Sequence, residues 1–76
     1  MIKPELKSVI LRELRLEDWQ IEDETTAAEV PGWDSLNHAN IIFAVESAFG
    51  VRFSNLEVLR LHNIGDLQNL LDSKLK

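Results

Sequence analysis

Apolar residues recur three and four apart along most of this 76-residue chain, and the recurrence breaks in one long place. Leu6, Val9, Ile10 and Leu14 fall on one helical face. Pro4 suits the first turn, because its missing N–H would be unpaired there anyway. The pattern predicts a first helix over about residues 3–16. Residues 17–33 hold no sustained period; they are acidic, contain Thr25 and Thr26, and end in Pro31-Gly32, which predicts a long loop. Loops of such length in small domains tend to carry function. Trp19, Ile21 and Val30 are expected to pin it to the core.

Asp34 is an N-cap candidate. Ile41, Ala44, Val45, Ala48 and Phe49 then follow the i, i+3, i+4, i+7, i+8 pattern, and Gly50 is a C-terminal stop. The second helix is expected over 35–49. Ser54 with Glu57 forms a capping box that opens a short third helix, with Leu56, Leu59 and Leu61 facing inward. Asn63 with Asp66 opens a fourth, whose Ile64, Leu67, Leu70, Leu71 and Leu75 share a face; Gly65 in its first turn is a weak point. Val51 and Phe53 read as loop anchors. Nothing has the period of a strand. The expectation is an all-α four-helix bundle, three longer helices and one short, with the long loop between the first two. Residues 1–76 would form a single domain.

The second helix carries a second stripe. At about 100° per residue, Ile41, Ala44, Val45, Ala48 and Phe49 lie within about 80° of Ile41, while Leu36, Ala39 and Phe43 lie nearly opposite. One helix of a small bundle cannot bury both faces in one core. Leu36 and Phe43 are therefore expected to be exposed and to mark a partner site; the alternative is that the loop folds over them.

Composition narrows the function. Apolar residues make up 45% of the chain, enough to fold. There is no cysteine, hence no disulfide and no thiolate metal site. The two histidines, His38 and His62, are far apart, with no ligand spacing around them. A chain this small makes a modest core with no volume for a deep catalytic cleft, so a self-contained enzyme is not expected. No apolar run approaches a membrane span, no apolar signal core follows the N-terminus, and a cytoplasmic monomer is the expectation. The formal charge is −5, which argues against nucleic-acid binding. That charge is unevenly placed. Glu17, Asp18, Glu22, Asp23, Glu24, Glu29 and Asp34 have no base among them, whereas acids and bases balance from Ser35 onward. This segment is either a solvated loop or a docking surface for basic partners.

Ser35 stands at the first position of the second helix. Ordinary capping is one reading of this serine, but Asp34 and Ser35 together are one cap candidate more than a helix needs. An anion attached to Ser35 would meet unpaired N–H groups at the positive end of the helix dipole. No base lies within motif distance to make this serine a catalytic nucleophile.

Gly32-Trp33-Asp34-Ser35-Leu36, followed by Glu46-Ser47-Ala48-Phe49-Gly50-Val51-Arg52-Phe53, resembles the acyl carrier protein family. The likeness covers the whole chain: a long loop, the tripeptide opening a helix, a Phe-Gly pair closing it, then a short and a terminal helix. It implies a bundle of the acyl-carrier type with 4′-phosphopantetheine attached to Ser35 by a separate phosphopantetheinyl transferase that uses coenzyme A and a divalent metal. Acyl-type intermediates would ride on the arm as thioesters. Asp34 would cap the helix and help place the transferase's metal. Leu36, Ala39, Phe43 and Glu46 would form the face presented to the transferase, to an acyl- or aminoacyl-loading ligase and to other pathway enzymes. A bound chain would enter between helices near Ile41, Val45, Leu59 and Leu67.

The chain also departs from the family's fatty-acid-synthesis members. Only Glu46 remains of the second helix's carboxylates, and Asn37, His38, Asn40 and Ser47 stand where acids are common. Trp33-Asp34-Ser35-Leu36 with His38 is similar to freestanding carriers of specialised pathways, polyketide-like or nonribosomal-peptide-like. An aminoacyl or peptidyl carrier, and an unmodified helical interaction module using the Leu36-Phe43 patch, remain the alternatives. His38 is expected to pack against the loop or Trp33.

Overall fold

A computed structural model describes residues 2–75. Four α-helices make up the fold: α1 (Pro4–Leu14), α2 (Ser35–Phe49), α3 (Asn55–Leu59) and α4 (Ile64–Leu75), with a 3-10 turn at Ala27–Glu29 inside the long connection. No strand is present among the described residues. The termini of α2, α3 and α4 fall where the caps place them. Asp34 accepts from the Asn37 N–H at 2.8 Å, Ser54 and Glu57 complete a capping box, and Asn63 accepts from the Asp66 N–H at 2.8 Å. The α1 helix ends at Leu14, the last residue of its apolar pattern and short of the expected end at residue 16. Arg15 turns left-handed at φ 58°, and the Leu16 N–H closes back on the Leu11 carbonyl at 2.9 Å, a Schellman ending.

Leu6, Ile10, Ile41, Val45 and Leu71 are fully buried at the centre, each contributing about 2 kcal/mol of transfer free energy. Ile42 joins this core, although it lies at the edge of the expected α2 face; Ala48, expected inside, is exposed. In α3 the expected inward leucines point out: Leu56 and Leu59 are exposed, and Val58 packs on the core instead. A five-residue helix presents a single side, and Val58 lies about 160° from Leu56 around it. Leu61 does pack against the core. The end of α4 runs past the core, which leaves Leu75 exposed.

Ile21 and Val30 are buried and fix the connection to the core as expected, but Trp19 is not an anchor and stands 39% exposed. The connection leans on α4. The Ile64 N–H donates to the Thr25 carbonyl at 2.9 Å and the Gly65 N–H to the Asp23 carbonyl at 3.0 Å, so loop carbonyls satisfy donors that a helix start leaves unpaired. Gly65 is therefore no weak point; its missing side chain admits the loop. Gln68 is a buried polar residue that apolar periodicity passes over. It accepts from the Lys3 N–H at 2.9 Å and donates to Asp72 at 2.9 Å, and Asp72 pairs with the Lys3 ammonium at 3.1 Å. This network ties the start of α1 to α4.

Candidate functional site

Extended backbone at Asp34 (φ −105°, ψ −175°) turns into α2 at Ser35. Asp34 takes the whole capping role: its carboxylate accepts from the Asn37 N–H, and its carbonyl accepts from the His38 N–H at 2.8 Å. The carboxamide of Asn37 donates back to the Gly32 carbonyl, bracing the turn in which Gly32 adopts φ 81°. Ser35 is exposed, and its hydroxyl makes no hydrogen bond to the described residues. The backbone N–H groups of Ser35 and Leu36 also have no acceptor there. A free hydroxyl thus stands beside two free donors at the positive end of a 15-residue helix.

Trp33 and His38 bracket this serine. The Trp33 Nε1–H donates to His38 Nδ1 at 3.0 Å, with the rings 6.0 Å apart and tilted. His38 therefore packs against Trp33, as its place on the edge of the α2 core face leads one to expect. Together with Ala27, Ala28, Asp34 and Ser35 these rings line an open depression of about 430 Å³. The 3-10 turn that supplies the alanines is held by Glu29, which accepts from the Thr26 N–H and hydroxyl at 3.0 Å. Those bonds hold the Glu29 carboxyl below its ordinary range.

The stripe opposite the core is open. Leu36 is 72% and Phe43 66% exposed, and Ala39 is exposed with them. The long connection lies against α4 and leaves this stripe uncovered. Beside it, between α2 and α3, runs a cleft of about 930 Å³ lined by Ala39, Ile42, Phe43, Val58 and Leu59, with Arg52 and Lys74 among its polar walls. Of the residues expected to admit a bound chain, Leu59 lines this cleft, while Ile41 and Val45 are solid core and Leu67 borders a void of about 40 Å³. Glu46 is engaged within the chain: its Oε2 accepts from the Phe53 N–H at 2.8 Å, fixing the strand of chain that leaves α2. Glu57 accepts from the Ser54 N–H and lies 2.9 Å from Lys74, and both partners hold its carboxyl below the ordinary range.

The periodicity therefore placed Ser35, Asp34, Leu36, Ala39 and Phe43 together on the start and outer side of one helix. Missed were Ile42 and Val58 as cleft walls; Ile42 borders the expected α2 face and a wider wheel would include it, whereas Val58 lies on the side of α3 away from Leu56 and no periodic signal marks it. Among the described residues no three His, Asp or Glu side chains stand together as a metal site, and no helix is long and apolar enough to cross a membrane.

No family profile matches the chain. The acyl carrier protein of Thermotoga maritima is 27% identical over 70 residues, 92% of this chain and 86% of that protein. The acyl carrier protein of Helicobacter pylori strain G27 is 29% identical over 72 residues, 93% and 92% of the two chains. The solution structure of a holo acyl carrier protein from Geobacter metallireducens superposes with a TM-score of 0.85 at 32% identity, over 96% of this chain and 87% of that one. A four-helix fold shared at this level with acyl carrier proteins marks the chain as a carrier and not an enzyme. The chain belongs to the acyl carrier protein family.

Proposed function

We propose that Ser35 is the point at which this carrier bears 4′-phosphopantetheine, and that acyl-type intermediates travel on it as thioesters. One observation carries the assignment: Ser35 has an exposed, unbonded hydroxyl next to two unpaired helix N–H groups, while Asp34 alone supplies the cap. A phosphodiester on the Ser35 oxygen fits that place, because its charge lies at the positive end of α2. The arm supplies the thiol that a chain without cysteine lacks.

In the loading reaction the Ser35 oxygen attacks the pantetheine-bearing phosphorus of coenzyme A. The bond between the two phosphates breaks, 3′,5′-ADP leaves, and the serine proton passes to the transferase or to water. Asp34 would stand beside the transferase's metal, and Leu36, Ala39 and Phe43 would be the face it grips. The depression beside Trp33 and His38 would give the root of the arm a surface to lie on, and the α2–α3 cleft would give an apolar cargo a wall. A cytoplasmic setting follows from the need for coenzyme A. Asn37, His38, Asn40 and Ser47, none of them acidic, favour along α2 a freestanding carrier of a specialised acyl or aminoacyl pathway over a fatty-acid-synthesis carrier.

The test is intact mass. The protein is incubated with coenzyme A, magnesium and a broad-range phosphopantetheinyl transferase, beside a control carrier. One added arm is expected on the wild type and none on Ser35→Ala with an unchanged helical circular-dichroism signal. A wild type that gains no mass while the control is modified would refute the assignment.

A further inference from the structure

The charges that line the exposed α2 stripe have the opposite balance to the chain as a whole. The net charge is −5, yet the clefts on either side of the stripe are lined by the cations Arg12, Arg15, Arg52 and Lys74 against the carboxylates Glu13, Glu46 and Glu57. The balance there is one positive charge. Lysines and arginines also divide by role. Lys3, Lys7 and Lys74 are each in an ion pair, with Asp72, Asp18 and Glu57. The side chains of Arg12, Arg15 and Arg52 have no ion pair or hydrogen bond among the described residues, and all three are exposed.

Their placement brackets the apolar stripe. Arg12 and Arg15 share a polar cleft of about 520 Å³ with Asn37 and Asn40, and Asn40 lies about 40° around α2 from Leu36. Arg52 shares the opposite cleft with Phe43 and Leu59. The nearby carboxylates are mostly committed elsewhere: Glu46 to the Phe53 N–H, and Glu57 to Ser54 and Lys74. An exposed apolar strip flanked by unpaired guanidinium groups is composed as a binding face, because arginine offers a forked donor set that matches carboxylates and is enriched where proteins meet.

We infer that the face Leu36-Ala39-Phe43 docks a protein partner whose contact surface is apolar at its centre and carboxylate-bearing at its rim. Arg12 and Arg15 would meet the rim on one side and Arg52 on the other. The acidic connection 17–33 would stay outside the contact and repel partners that approach in the wrong orientation. This inference rests on the reading of α2 as the partner face, and it does not require Ser35 to be modified.

The test uses two synthetic helical peptides with the same leucine and phenylalanine positions, one flanked by glutamates and the other by lysines. Each is titrated into the full-length isotope-labelled chain, followed by amide chemical shifts at low and moderate salt. The intact mass is recorded in parallel, so that a failure of the Ser35 assignment appears separately. The expected result is about tenfold tighter binding of the glutamate peptide, the scale of a few charge pairs acting together. Its shifts should centre on Leu36, Phe43 and Arg52 and weaken with salt. In the Arg12→Glu/Arg52→Glu variant, whose fold is checked by circular dichroism, the preference should disappear or reverse. Equal or tighter binding of the lysine peptide, shifts centred on residues 17–34, retention of the preference by the variant, or no binding of either peptide would each overturn the inference.

Discussion

The carbonyl oxygen of Asp23 accepts the Gly65 N–H at 3.0 Å and would lie only 2.8 Å from a Cβ placed on that glycine. The first turn of α4 and the connection between α1 and α2 are thus in backbone contact, and only glycine permits it. In an ordinary helix Gly→Ala gains about 1 kcal/mol. Here Gly65→Ala should lose about 2 kcal/mol, because Asp23 backbone and α4 must separate. Urea unfolding monitored by circular dichroism measures it, and an unchanged or raised midpoint would show that the two segments are not held together.

Arg15 is the converse case. It is the one described non-glycine residue with a positive φ, and it occupies the position after α1 where glycine is the usual choice. Arg15→Gly should raise stability by about 1 kcal/mol, the left-handed cost for a residue with a Cβ. Arg15→Val at the same site should lower it, since branching at Cβ worsens the left-handed conformation. The order Gly above Arg above Val in thermal midpoint is the outcome to look for.

Asp34 and Ser35 separate by their effects. Asp34→Ala removes the bond to the Asn37 N–H and should cost about 1 kcal/mol. Ser35→Ala removes a hydroxyl without an internal partner and should leave stability within about 0.5 kcal/mol, while abolishing attachment of the arm. If Ser35→Ala destabilised the chain as much as Asp34→Ala, the serine would be a structural cap.

What could be read from the sequence follows from what each residue answers to. Caps at Asp34, Ser54 and Asn63 are local chemistry, and they placed three helix starts correctly. The exposure of Leu36 and Phe43 was legible because two apolar faces on one helix cannot share one core. Leu56 and Leu59 were misjudged because α3 is too short for periodicity to choose a side; packing of Val58 made that choice. Trp19 was expected inside on size alone. Gly65 and Gln68 owe their roles to partners 42 and 65 positions away in the chain, Asp23 and Lys3, and no local pattern announces such contacts.

Acid should destabilise the fold. The Glu29 carboxyl is lowered by the Thr26 N–H, that of Glu57 by the Ser54 N–H and Lys74, and that of Asp72 by Lys3 and Gln68. A folded-state value below the unfolded one means that the unfolded chain binds protons first on acidification. The stabilisation is therefore complete above the ordinary carboxylate values of 4.5 and 3.8 and is lost as pH falls through and below them. The unfolding midpoint should hold level near neutrality and drop in that range. Glu57→Gln and Asp72→Asn should shallow the drop. A midpoint that rises on acidification would contradict the sign.

Phe43→Glu tests the partner face apart from the fold. Phe43 is mostly exposed and outside the core cluster, so the change should move stability by no more than about 0.5 kcal/mol. Leu71→Ala, at a fully buried position of α4, should cost about 3 kcal/mol and serves as the opposite control. Loading by the transferase should respond in the reverse order. Phe43→Glu places a carboxylate in the middle of the apolar stripe, where it must be desolvated on docking, and should slow arm attachment at least about tenfold, the equivalent of 1.4 kcal/mol. Leu71→Ala, assayed well below its unfolding midpoint, should load at nearly the wild-type rate, because its contacts lie on the far side of α2 from the stripe. Equal loading rates for Phe43→Glu and wild type would remove this stripe from the contact and leave the acidic connection as the remaining candidate surface.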